Sequence, residues 1–237
     1  MTAGGDQCHT PFGVFDLKRY PARPKEQLQA WNSADILLLE SFLALGLPAR
    51  QALVVNDEHG ALTTALQPAG LWTDSRLSAL AVDANVARNG RLPVTITWST
   101  DPPPRGLNCA VMRVPKQAAY FEYQLSLLAD ALPDGASLLA SGMDKHLSPH
   151  TAATLERCFG PTERYPGKRK ARVFHARKAV RGQPTGEWRV AYRCDALDKD
   201  LFSLPNVFSR EQLDIGSRLL IQHLDALEPA SSVVDLA

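Results

Sequence analysis

Ala52-Leu53-Val54-Val55-Asn56-Asp57-Glu58-His59-Gly60-Ala61-Leu62 reads as a buried apolar strand, a polar loop and the start of a short helix that runs on to Leu66. Upstream, Asn32 and Ser33 can cap a helix reaching about Leu45, which Gly46 and Pro48 terminate. Before it lies an extended lead-in, Phe12 to Tyr20, broken off by Pro21 and Pro24. Downstream, Leu71 to Thr73 is a short strand, and Asp74 or Ser75 caps a helix ending at Asn89-Gly90. Val94 to Trp98 and Ala110 to Val114 are further strands on either side of the Asp101-Pro-Pro-Pro linker. Phe121, Leu125, Leu128 and Leu132 form a helical stripe that has to face a sheet. Ser137 to Ala140 is a strand, and Ser148-Pro149 opens a helix that Gly160-Pro161 stops. The strands Lys170 to His175 and Glu187 to Arg193 follow without a helix between them, so they are expected to form an antiparallel hairpin.

Strand-helix units demand right-handed crossovers and a parallel sheet covered on both faces. The predicted fold class is therefore α/β: a mostly parallel twisted sheet, Rossmann-like, with helices on both faces and a C-terminal antiparallel hairpin. This is the layout of class I methyltransferases. The layout alone does not settle chemistry.

The 237 residues are 45% hydrophobic and 22% charged, values of an ordinary globular chain large enough for its own core. No run approaches the roughly 18 apolar residues of a membrane span, and Met1 to Thr10 has no signal-peptide pattern, so a cytoplasmic protein without membrane contact is expected. Cys8, Cys109, Cys158 and Cys194 lie far apart with no Cys-x-x-Cys pair, and His146 with His150 makes an incomplete ligand set, so no metal is expected. The net charge of +1 hides an asymmetry, since Arg164 to Arg181 holds eight Lys or Arg and no acid.

In such a sheet a ligand sits beyond the carboxyl ends of the strands, where glycines after the first strand let backbone approach it. In this degenerate loop, which starts at Asn56, only Gly60 remains of that pattern, and Asp57, Glu58 and His59 put side chains in the way. Asp74 stands where an acid would meet ribose hydroxyls, although capping the next helix explains it as well. Base amino-methyltransferases carry Asn/Asp-Pro-Pro-aromatic after the fourth strand; this chain has Arg113-Val114-Pro115-Lys116, with cations expected toward the site. Neither bound S-adenosylmethionine nor methyl transfer is expected of this domain by itself. No Gly-x-Ser-x-Gly, phosphate-loop or His-Glu-x-x-His motif offers another chemistry.

Several stretches carry a family resemblance: Asn56-Asp57-x-x-Gly60-Ala61-Leu62, Val114-Pro115-Lys116, Gly160-Pro161-Thr162, Lys170-Ala171-Arg172, and above all Asn206-Val207-Phe208-Ser209-Arg210 with Leu213-Asp214-Ile215-Gly216 and Gln222-His223-Leu224. From about Phe15 onward the chain resembles the large-subunit ribosomal RNA guanine-N2 methyltransferases, and more distantly their small-subunit counterparts. The resemblance implies a degenerate methyltransferase-like half over 1–200. A linker, a helix and the first strand of a catalytic half, Val233 to Leu236, then occupy 201–237 and stop before the glycine loop. It implies S-adenosylmethionine as cofactor of the intact enzyme, large-subunit ribosomal RNA and the catalytic half as partners, and Phe208, Ser209 and Asp214 beside the intact cofactor pocket. Taken without that half, the same stretch reads as a turn and an amphipathic helix burying Leu213, Leu220 and Leu224.

Lys168, Arg169, Lys170 and Arg172 precede or enter the first hairpin strand, and Arg177, Lys178 and Arg181 follow it. Clustered cations with Tyr165, Phe174 and His175 interleaved suit RNA phosphates and unpaired bases, with Phe174 itself better placed in the core. A solvated edge strand protected from aggregation is the alternative use. Three functions stay open: an RNA-recognition module for a separate catalytic half, a structural scaffold for that half, and an autonomous methyltransferase with an unusual site around Asp57, Glu58, His59 and Asp74.

Overall fold

A computed structural model describes residues 6–181, 188–226, 231, 232 and 234. The chain forms two compact units, Met1–Thr185 and Gly186–Ala237.

The first unit opens with a hairpin of β1 (Gln7–Thr10) and β2 (Gly13–Asp16). It is followed by α1 (Ser33–Ala44), β3 (Ala52–Val55), α2 (Ala61–Leu66), β4 (Gly70–Thr73), α3 (Arg76–Arg88) and β5 (Ile96–Trp98). Then come β6 (Cys109–Arg113), α4 (Ala118–Ala131), β7 (Ser137–Met143), α5 (Thr151–Cys158), β8 (Thr162–Arg164) and β9 (Ala171–Arg177). The seven-stranded sheet has the order β5-β4-β3-β6-β7-β9-β8. Its strands from β5 to β7 are parallel, and β9 runs antiparallel to both β7 and β8.

Both alternating sets of strand side chains are buried, as a sheet covered on two faces requires. Val54, Val111 and Leu139 join the cluster that contains Leu38, Phe42 and Leu62 of α1 and α2. Leu53, Ala110 and Leu138 point the other way and are equally inaccessible. The expected stripe Phe121, Leu125, Leu128 and Leu132 is buried. Asn32 caps α1 in a reciprocal box with Asp35, as its sequence position suggested.

Three local expectations are corrected. First, the strand at 171–177 does not pair with the one near 190. It lies between β7 and β8, and the antiparallel hairpin is β8–β9. The reason is burial: Ala171, Val173, Phe174, His175 and Ala176 are all inside, and an interior strand needs a hydrogen-bonding neighbour on each side. Second, α5 starts at Thr151 rather than at Pro149. The Ser148 hydroxyl instead accepts from His150 N–H at 3.2 Å, closing a local turn. Third, Ser75 and not Asp74 caps α3, its hydroxyl accepting from Ser78 N–H at 3.1 Å.

The second unit contains a hairpin of β10 (Val190–Cys194) and β11 (Lys199–Ser203), then α6 (Ile215–His223). Glu187, expected to begin a strand, lies outside the described residues, as does all of the strand expected over 233–236 except Val234. No residue of α6 is buried, and Leu220 and Leu224 are 52% and 45% exposed. The expectation that these leucines are buried is therefore corrected: the helix is amphipathic, but its apolar side is left open.

Candidate functional site

Strand order fixes where a ligand would enter. The crossovers diverge on either side of β3, whose neighbours are β4 and β6, so the switch-point crevice opens between the carboxyl ends of β3 and β6. Asn56 leaves β3 in the left-handed region, φ 59°, a conformation asparagine tolerates better than most residues. Its Nδ2 donates to the Arg113 carbonyl at the end of β6 at 3.0 Å and to Gln124 Oε1 of α4 at 2.7 Å. Gln124 Nε2 donates back to Asn56 Oδ1 at 2.9 Å and to Tyr120 Oη at 3.0 Å. Tyr120 continues the chain to Ser99 Oγ at 2.9 Å, and Tyr123 Oη donates to the Ser99 carbonyl at 2.6 Å. The Asn56 amide thus bridges the crevice from β3 to β6, and buried side chains extend the closure to the end of β5.

Gln124 is fully buried and Tyr120 nearly so. Burial, with Asp74 adding its charge, pushes the Tyr120 phenol well above its usual range, so it serves as a neutral donor. Each bond in this network contributes about 1 kcal/mol net, and stranding a buried partner costs about 1–3 kcal/mol. Admitting a ligand here would require breaking several of these bonds at once.

The loop after Asn56 is turned inward in the same way. Asp57 is buried; its carboxylate accepts from Gly60 N–H at 2.9 Å, Thr63 N–H at 2.8 Å and Thr63 Oγ1 at 2.8 Å. These are the amides at the start of α2, so the chain's own anion takes up the donors that a ligand would use. Loss of water, with Asp35 nearby, raises its pKa to about 6 despite those donors. His59 is 8% exposed and neither ring nitrogen has a hydrogen-bond partner; burial holds the imidazole below its ordinary pKa. Its carbonyl accepts from Asn85 Nδ2 at 2.7 Å, and Asn85 also binds the main chain of Lys18. Gly60 has φ 88°, and a Cβ there would stand 3.0 Å from Val82 Cα. The remaining glycine thus serves the close approach of α3.

Arg113, expected toward the site, is instead half-buried and paired with Asp35 of α1, because an interior guanidinium needs a counter-ion. Val114 N–H donates to the Ser141 carbonyl at 2.9 Å. Neither the Arg113 nor the Val114 side chain offers an amine an acceptor. The crevice therefore does not fit S-adenosylmethionine: the side chains of Asn56, Gln124 and Tyr120 bond one another across it, its glycine serves packing, and its acid serves α2. Among the described residues no group of three or more His, Cys, Asp and Glu could hold a metal ion, and no helix is long and apolar enough to cross a membrane.

The basic residues do not form one patch. Ala171 pairs with Met143 and Arg177 with Ser137, so β9 carries its first cations to the carboxyl edge of the sheet and its last to the amino edge. Lys168, Arg169, Lys170 and Arg172 are at the carboxyl edge; Arg177, Lys178 and Arg181 are at the other, roughly 20 Å of strand away. Several are paired with acids distant in sequence: Lys168 and Arg169 with Glu40 at 3.1 and 3.7 Å, Arg172 with Asp144 at 3.3 Å, Lys178 with Asp134 at 2.5 Å. Phe174 and His175 are core residues, and Tyr165 is half-buried with its ring edge on His175. None of the three offers a fully free ring face for stacking.

In the second unit, Phe208 is 82% exposed. Ser209 Oγ donates to the Gln212 carbonyl at 2.8 Å, and Asp214 caps α6 by accepting from Gly216 and Ser217 N–H at 2.9 and 3.1 Å. Sequence reasoning missed Gln124, Tyr120, Ser99 and Glu40. A signal existed for two of them: Tyr120 and Gln124 stand four apart on α4, polar atoms on a helix otherwise apolar at that face.

Residues 5–180 match the family model described as the RLMG N-terminal domain, and 198–237 match the one described as the methyltransferase small domain. The chain is 37% identical over 96% of its length to the ribosomal RNA large subunit methyltransferase G of Alcanivorax borkumensis, of which it covers 62%. It is 35% identical over 98% of its length to that of Streptomyces avermitilis, covering 64%. The chain thus spans just under two thirds of these relatives. Among solved structures it is similar in fold to a T. thermophilus 16S rRNA N2 methyltransferase in complex with AdoMet and guanosine, with TM-score 0.63 and 18% identity over 93% of this chain and 57% of that one.

Proposed function

Because the chain belongs to the ribosomal RNA large subunit methyltransferase G family through its N-terminal domain, we propose that it is the RNA-recognition half of an S-adenosylmethionine-dependent enzyme of the cytoplasm that methylates a guanine exocyclic amine in large-subunit ribosomal RNA. In this reading the first half, 1–200, neither holds the methyl donor nor transfers the group. The region from 201 onward leads into the half that does, with Phe208, Ser209 and Asp214 bordering its cofactor pocket. The observation that carries the reading is the Asn56 amide bonded across the crevice between β3 and β6.

The test uses the purified chain, protein-free large-subunit ribosomal RNA and S-adenosylmethionine labelled in its methyl group. The expected result is RNA retained with the protein and no label on the RNA. Label on the RNA would establish the autonomous enzyme instead.

A second reading, a scaffold that only buttresses the catalytic half, draws support from the ion pairs that occupy Lys168, Arg169, Arg172 and Lys178. That role predicts no RNA retention by this chain at all.

A further inference from the structure

We propose that RNA is met at the carboxyl edge of the sheet by Lys145, Lys168, Arg169 and Lys170, continued along β8 by Arg164, with the Glu40 carboxylate holding the place of one RNA phosphate between Lys168 and Arg169. The proposal rests on the recognition role above and narrows it to one surface.

The architecture gathers residues from three segments. Lys145 lies two residues after the end of β7, and Arg164 ends β8 opposite Phe174, roughly 10 Å of strand in from the edge that Ala171 and Met143 mark. The β8–β9 connection is tied to that exit from β7, since Asp144 N–H donates to the Lys170 carbonyl at 2.9 Å. Lys168 and Ala171 exchange backbone bonds of 2.9 and 3.0 Å, closing a two-residue turn on Arg169 and Lys170. Both central residues are left-handed, with φ 55° and 59°. That is the hairpin turn in which asparagine and glycine are normally favoured. Long cations occupy its tip in spite of the steric penalty that a Cβ incurs there. A strained conformation of this kind is a reason to look for function.

Charge points the same way. Lys145, Arg164 and Lys170 are exposed and have no ion pair among the described residues. Lys168 and Arg169 share the single carboxylate of Glu40. Two cations converging on one carboxylate present the donor arrangement that phosphate oxygens accept. At the amino edge Arg177 and Arg181 are likewise exposed without an ion pair among the described residues, but Lys178 has Asp134 to itself at 2.5 Å, and no carboxylate there is shared by two cations. A surface of lysine and arginine without an exposed large apolar side chain among these five positions suits a phosphodiester backbone better than a lipid surface or a protein core.

The test measures affinity of the 237-residue chain for protein-free large-subunit ribosomal RNA across a salt series. Combined Lys168→Gln, Arg169→Gln and Lys170→Gln should weaken binding at least tenfold. It should also flatten the log-log salt slope by about 1.4, at ~0.7 for each of the two phosphates no longer neutralised on single-stranded RNA, one shared by Lys168 and Arg169 and one at Lys170. Combined Lys178→Gln and Arg181→Gln should leave both quantities unchanged. Glu40→Gln should strengthen binding several-fold, because it frees the two cations. Unchanged melting curves would establish that these surface variants fold. Equal losses from the two edges, or no loss from the triple variant, would overturn the surface assignment while leaving recognition intact. No gain from Glu40→Gln would overturn the phosphate-place assignment. Failure of the unsubstituted chain to bind would remove the recognition role itself and this surface with it.

Discussion

Replacing Gln124 by alanine probes the closed crevice most economically. The side chain makes three hydrogen bonds, two in the reciprocal pair with Asn56 and one to Tyr120. At about 1 kcal/mol each, plus about 1 kcal/mol for the cavity, the variant should lose roughly 4 kcal/mol. In a domain of this size that is a fall in Tm of roughly 8–16 °C. Total loss does not separate the amide pair from general packing, but a double-mutant cycle with Asn56→Ala does. Both single variants break the same two bonds, so the double variant should cost about 1–2 kcal/mol less than their sum. The assay is denaturant unfolding of the four proteins at neutral pH. A coupling energy of zero would mean that Asn56 and Gln124 are neighbours without a shared network, and the argument for a self-filled crevice would fail.

Asp57 gives a pH prediction of definite sign. Its folded pKa, about 6, lies above the ordinary 3.8, so the native state binds the proton more tightly than the unfolded chain, and stability is lost as pH rises between those values. The stability of the native protein relative to Asp57→Asn should therefore fall by about 3 kcal/mol from pH 3.5 to 7; a flat difference would refute the buried-acid assignment. His59 runs the opposite way: its lowered pKa makes the native protein lose stability as pH falls below about 6.5, and His59→Leu should resist acid better in melts at pH 5. Gly60→Ala should cost about 2 kcal/mol, from its positive φ and the 3.0 Å approach of Val82 Cα, readable in urea unfolding. Arg113→Met leaves Asp35 buried without its partner and should cost about 3–5 kcal/mol; adding Asp35→Leu should recover part of that in the same titration.

The sheet was legible because its strands are short apolar runs between strong punctuation, as at Val55-Asn56 and Asn89-Gly90. The loss of the glycine pattern around Gly60 was legible for the same reason. What fills the space was not. Gln124 lies 68 residues from Asn56, and nothing in the local pattern at either position announces the other. The basic stretch misled in a similar way. Eight cations consecutive in charge are split by the direction of β9, and their counter-ions Glu40, Asp144 and Asp134 come from elsewhere in the chain. The partner of β9 was misassigned because pairing preference between strands is set by burial of the whole strand and not by adjacency. The amphipathic character of α6 was readable, but a stripe of leucines in sequence does not say what covers it.

The central claim concerns the space between β3 and β6, and titration calorimetry of S-adenosylmethionine into the purified chain addresses it directly. The account predicts no binding heat at millimolar ligand, for the native protein and for Gln124→Ala alike, since Asp57 and the α2 amides remain engaged. Saturable one-to-one binding at micromolar concentration, abolished by Asn56→Trp, would place the donor in the crevice and contradict the account.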